Sequence, residues 1–175
     1  AMDESISELL LSGGDPLSLT TNKLQQLSEQ LKTVKHIKRI RFHTRLPVVL
    51  PERIDEELLN WLAELPFQTI FVIHANHPNE LDDAFGLAIN KLKQIGVTIL
   101  NQSVLLKCVN DNPEVLIQLS ERLFEYGVLP YYLHLLDKVQ GAAHFEVDNV
   151  HAKELHIEMM KRLPGYLVPK LVQEI

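Results

Sequence analysis

The 175-residue sequence has a single cysteine, Cys108. A lone thiol forms no internal disulfide, and it points to a reducing, cytoplasmic compartment. Nor can it hold an iron–sulfur cluster, which normally takes three or four thiolates. No apolar run approaches the roughly 20 residues of a bilayer-spanning helix. The first charged residues, Asp3 and Glu4, are acidic, unlike the basic start of a signal peptide. Positive charge is not in excess either. With 17 Lys and Arg against 23 Asp and Glu, the formal net charge is -6, which argues against nucleic acid or an anionic membrane as the main partner.

What is present is ordinary globular material: 46% hydrophobic and 23% charged residues exclude a disordered chain. The length suits one domain over residues 1–175 with a sizeable core. Apolar, partly β-branched runs recur at Glu8–Ser12, Ile37–His43, Thr69–His74, Val97–Ser103 and Val128–Leu135. Their spacing of about thirty residues is the length of one strand–loop–helix unit.

The intervening segments carry helical periodicity. They are Leu19–Leu31, Asp55–Leu65 with Asp55 as N-cap, Glu80–Ile95 before Gly96, and Pro113–Tyr126 between Asn112 and Gly127. A last helix is expected over Val150–Arg162 and a short strand over Tyr166–Val172. Strict alternation predicts a parallel sheet flanked by helices, either doubly wound or a (β/α) barrel. Polar residues at or just past the strand ends favour the barrel: Ser12, His43, His74, Asn101 with Gln102, and His134 with Asp137. The expected fold is α/β, a partial TIM-like barrel of about six parallel strands.

Five segments carry candidate chemistry. In Ser12-Gly13-Gly14-Asp15 the glycines allow close backbone approach to a ligand, and Asp15 either meets an ammonium or caps a turn. Arg45 precedes an apolar, proline-bounded stretch that reads as non-helical, and suits a carboxylate or phosphate, or else a surface ion pair. His74, His77 and Glu80 invite a metal, but Pro78 makes the segment a turn, and a hydrogen-bonding role for His74 is the preferred reading. Asn101 and Gln102 either read a ligand's edge or cap a loop. Asp137, past the strand bearing Tyr132 and His134, requires a cation, from substrate or from protein.

In order, the strings LLLSGGDPL, TRLPVVLPERI, HANHPNE, NQSVLLKCVND, PYYLHLLD, GAAHF and GYLVPKLVQEI resemble the lysine 2,3-aminomutase family of radical-SAM enzymes. The variants HLLDKVQGAAHF and LVPKLVQEI look most like the bacterial branch whose (R)-β-lysine modifies elongation factor P. The resemblance implies a [4Fe–4S] cluster, S-adenosylmethionine, pyridoxal phosphate and a 5′-deoxyadenosyl radical that converts L-lysine to β-lysine.

It also implies that Ser12, Gly13, Gly14, Asp15, His74 and Gln102 face S-adenosylmethionine, and that Asp137 and Glu174 hold the substrate ammonium groups. Arg45 and His134 become candidates for pyridoxal phosphate. Glu174 replaces a commoner Asp, and His134 a tyrosine of the other branch. The family's cluster cysteines and cofactor lysine have no counterpart in this sequence, so these 175 residues alone are expected to be inactive. Self-association is expected as well. The rival readings are a non-redox barrel lyase or aldolase using Asp15, His74 and Asp137, and a non-catalytic small-molecule binding module.

Overall fold

The computed structural model describes residues 3–137 and 140–173. Six strands form one sheet in the order β1-β2-β3-β4-β5-β6. They are β1 (Glu8–Leu11), β2 (Arg39–Thr44), β3 (Gln68–His74), β4 (Thr98–Val104), β5 (Leu129–His134) and β6 (Lys170–Val172). The strands are parallel and the sheet is not closed. A doubly wound sheet reverses its strand order once. This order runs straight through, so the sheet is singly wound, as a barrel's is.

Six helices lie between the strands: α1 (Thr21–Leu31), α2 (Leu46–Val49), α3 (Glu56–Ala63), α4 (Asp83–Gln94), α5 (Pro113–Glu125) and α6 (Asn149–Arg162). Among the described residues no helix is long and apolar enough to cross a membrane. Backbone contacts divide the chain into two compact units, Ala1–Ile73 with Asp83–Ile99, and His74–Asp82 with Leu100–Ile175.

In the first unit, β2 alternates half-buried Arg39, Arg41 and His43 with buried Ile40, Phe42 and Thr44. The buried set faces the helices. Phe42 packs edge-on to Trp61 of α3 at a centroid distance of 6.0 Å, and Phe71 of β3 lies 5.2 Å from it. Trp61 is large and polar at one end, and its indole N–H donates to Ser28 Oγ of α1 at 3.1 Å, which satisfies a buried donor. On the opposite face, the Glu8 carboxylate sits between Arg39 Nε at 2.9 Å and Arg41 Nε at 3.0 Å.

In the second unit, α5 and α6 bury Leu116, Ile117, Ala152, Leu155 and Met159 against Leu105 and Leu133 of the sheet side. Asn112 caps α5 by accepting from Glu114 N–H at 2.8 Å, with Pro113 opening the helix. Asp148 caps α6, accepting from Val150 and His151 N–H at 3.0 Å each. Those amides, that of His151 foremost, hold the Asp148 carboxyl below its ordinary pKa. Arg162 at the end of α6 makes a two-pronged ion pair with Glu114 at the start of α5.

Two local expectations are corrected. Leu46–Val49 is a helical turn despite Pro47. Proline is excluded from helix interiors, but in the first turn its missing N–H has no partner to lose. The expected strand Tyr166–Val172 is only β6, because Gly165–Leu167 forms a 3-10 turn after Pro164.

Candidate functional site

In the first unit, β1 ends at Leu11 and the chain turns through Ser12, Gly13 and Gly14. Both glycines have positive φ, 85° and 70°. A Cβ built on either meets nothing within 4 Å, so the loop needs glycine for its conformation while leaving open space above it. Asp15 then fixes the loop to β2. Its Oδ1 accepts from Leu17 N–H at 3.0 Å and from Thr44 Oγ1 at 2.7 Å, and its Oδ2 accepts from Arg45 N–H at 2.6 Å. With three protein donors, the carboxylate serves as the brace of the glycine loop. Arg45 is brought to this loop by its backbone, and its side chain is exposed. Beside the loop lies a cavity of about 280 Å³ lined by Ser12, Gly13 and Gly14 together with Leu11, Leu24 and Leu27.

In the second unit, the turn after β3 uses its own polar groups. Glu80 accepts from Asn76 N–H at 2.7 Å and His77 N–H at 2.9 Å, while His77 Nδ1 accepts from Asn79 N–H at 3.2 Å. Two of the three side chains that invite a metal therefore close a capping box instead. Among the described residues no group of three or more His, Cys, Asp or Glu is arranged to hold a metal ion.

The adjacent amides of β4 separate cleanly. Asn101 is 1% exposed. Its Oδ1 accepts from Ala75 N–H at 2.9 Å, and its Nδ2 donates to Ala75 O at 3.1 Å and Ser103 Oγ at 2.9 Å. Asn110, fully buried, donates to Asn76 O and Val104 O at 2.9 Å each and accepts from Leu106 N–H at 2.7 Å. Asn76 Oδ1 in turn accepts from Val104 N–H at 2.8 Å. Three asparagines thus satisfy the backbone at the ends of β3 and β4. Gln102, one residue on from Asn101, points to the half-exposed face.

On that face the pairing of β4 with β5 aligns Gln102 with Tyr132 and Val104 with His134. The register shifts between Asn101 and Gln102, so Tyr131 is the extra residue of a β-bulge. The bulge leaves Leu133 in the helix-facing core and Tyr132 and His134 on the side of Gln102. The His134 Nε2 atom is shielded from solvent and has no hydrogen-bond partner among the described residues. His74 ends β3 half-buried, and Asp137 is exposed three residues beyond β5. Glu174 lies outside the described residues.

The structure thus joins Ser12, Gly13, Gly14, Asp15 and Arg45 in one unit, and Gln102 with His134 in the other. Sequence reasoning quoted the motifs that contain Thr44, Asn76, Asn110 and the tyrosine pair but gave these residues no role of their own. The bulge did leave one signal, Pro130, since proline within a sheet concentrates at bulges and edges.

Solved structures share the fold. A radical SAM methyltransferase from Sphaerobacter thermophilus superposes with a TM-score of 0.64 at 15% identity, over 96% of this chain and 51% of that one. A domain of pyruvate-formate lyase-activating enzyme from Bacteroides vulgatus gives 0.61 at 11% identity, over 95% and 98%. Both share the α/β fold of this chain over the matched stretch. No protein-family model matches the sequence. Proteins named L-lysine 2,3-aminomutase from Haemophilus influenzae and Escherichia coli are each 50% identical over all 175 residues, covering 52% and 51% of their own lengths. One from Clostridium subterminale is 35% identical over 168 residues, 40% of its length. These relatives are similar to the chain along its whole length, and the chain spans about half the length of the curated relatives it matches.

Proposed function

We propose that this chain is the cofactor- and substrate-facing core of an L-lysine 2,3-aminomutase. The observation that carries the reading is the 50% identity to proteins of that name along the whole chain. The product would be β-lysine, and the motif variants extend the proposal to the branch that serves elongation factor P.

The residues present suit parts of this chemistry and not others. An open glycine pair braced by Asp15 suits a close-approaching ligand such as the methionine end of S-adenosylmethionine. Gln102 and His134, on one face, suit polar atoms of a bound cofactor, S-adenosylmethionine or pyridoxal phosphate. Arg45 is offered to a phosphate and Asp137 to a substrate ammonium, each being exposed beside the loop or strand end that carries it. A [4Fe–4S] cluster does not fit these residues: the single thiol, Cys108, is exposed. Acid–base barrel chemistry by Asp15 is disfavoured, since three protein donors already occupy its carboxylate.

The test is a chimera in which residues 1–175 replace the matching stretch of the Haemophilus influenzae relative. Supplied with L-lysine, S-adenosylmethionine, pyridoxal phosphate and a reductant, it is expected to release β-lysine. A folded, cluster-loaded chimera that leaves lysine unchanged overturns the reading.

A further inference from the structure

The tyrosine pair of β5, although part of the PYYLHLLD string, is not in the buried core and has none of the roles assigned to that string. A regular strand sends neighbouring side chains to opposite faces. At the bulge, Tyr131 and Tyr132 instead stack, with ring centroids 3.8 Å apart and planes 34° from parallel. Tyr132 also meets the His134 ring edge-on at 5.5 Å and 78°. Three rings thus form one cluster. The cross-strand row Gln102–Tyr132–Lys170 runs beside it on the same face. Both tyrosines and the histidine are half-buried.

Four features point to a ligand. Bulges concentrate beside functional sites, where they re-aim a side chain. This bulge turns an aromatic surface out of the core. Polar groups, Gln102 and Lys170, flank that surface in register. Finally, a shielded ring nitrogen at its edge, His134 Nε2, has no hydrogen-bond partner among the described residues; such an atom is costly to leave unmatched.

We infer that Tyr132, backed by Tyr131, is the surface against which a planar heteroaromatic ring of a bound cofactor packs, with His134 Nε2 meeting a polar atom at that ring's edge. The inference rests on the aminomutase reading, which supplies two candidate rings, the adenine of S-adenosylmethionine and the pyridine of pyridoxal phosphate. Both present a π-face and ring-edge polar atoms, so the experiment separates them.

The 175-residue chain is titrated by calorimetry with S-adenosylhomocysteine in one arm and pyridoxamine 5′-phosphate in the other. Tyr132→Leu is expected to weaken one of the two about tenfold or more, in line with aromatic stacking on a flat ring. Tyr132→Phe should bind as the wild type, and so should Tyr166→Leu, an exposed residue on the 3-10 turn before β6. Saturation-transfer NMR on the wild type needs no variant to fold, and should carry saturation from tyrosine rings to the ring protons of the same ligand. Unchanged affinity of folded Tyr132→Leu for both ligands overturns the inference. So does the absence of ring saturation, or failure of the wild type to bind either ligand. A β-lysine-forming chimera together with unchanged Tyr132→Leu affinity would sink this inference alone and leave the aminomutase reading standing.

Discussion

At the scale of single residues, the contrast between Asn101 and Gln102 is the most instructive. They are chemically alike and adjacent, and the sequence offers no way to rank them. The period of a strand does, because it sends one into the core and the other to the open face. Asn101 makes hydrogen bonds to both backbone groups of Ala75, so Asn101→Leu leaves a buried N–H without an acceptor. The expected cost is about 2 kcal/mol or more in urea unfolding. Gln102→Leu is expected to change stability by no more than about 0.5 kcal/mol, while weakening S-adenosylhomocysteine binding. Equal destabilisation by the two would show that the assignment of faces is wrong. Gly14 separates two effects in the same way. No atom crowds its missing Cβ, so Gly14→Ala tests conformation alone. Holding an alanine at positive φ costs about 1–2 kcal/mol, and Gly14→Asn should cost less. Urea midpoints that fall equally for both variants would refute a purely conformational requirement.

At the scale of elements, boundaries with a chemical marker were legible. Asp55 accepts from Leu58 N–H at 2.8 Å and starts α3, and the Asn112-Pro113 pair starts α5. Asn112→Ala should cost about 1 kcal/mol, with Asn112→Asp near neutral, as read from thermal unfolding. The Asp148 cap of α6 adds a pH dependence whose sign follows from its pKa. The folded-state value lies below the ordinary 3.8. Its stabilising contribution is therefore present above that value and is lost as pH falls through the lower, folded one. Asp148→Asn should flatten that acid limb relative to the wild type, and parallel acid titrations of the two proteins would remove the cap from the account. Elsewhere local rules misled. Pro47 argued against a helix because sequence does not reveal that it falls in a first turn. The apolar residues Tyr166 and Leu167 read as strand although Gly165 bends them into a 3-10 turn. Nor did any composition signal announce the β5 bulge beyond Pro130, so Tyr132 went unassigned.

At the scale of the whole molecule, strand number and parallel order followed from the repeat of about thirty residues. Closure did not, because periodicity specifies units and not how many complete a ring. The structure leaves the sheet with two edges, β1 and β6. Unpaired strand edges offer backbone donors and acceptors to another chain. The two edges are unequal. β6 is three residues long, whereas β1 carries Leu10 at 45% exposure, beside the cavity lined by Leu11, Leu24 and Leu27. Self-association is thus expected through β1, where backbone pairing and apolar burial act together. Light scattering at tens of micromolar should show species heavier than the 20.0 kDa monomer. Leu10→Lys, which sets a charge on that edge, should shift them toward monomer, while Lys170→Glu on β6 should not. A wild-type chain that stays monomeric, or association that Leu10→Lys leaves untouched, would remove the β1 edge as the contact.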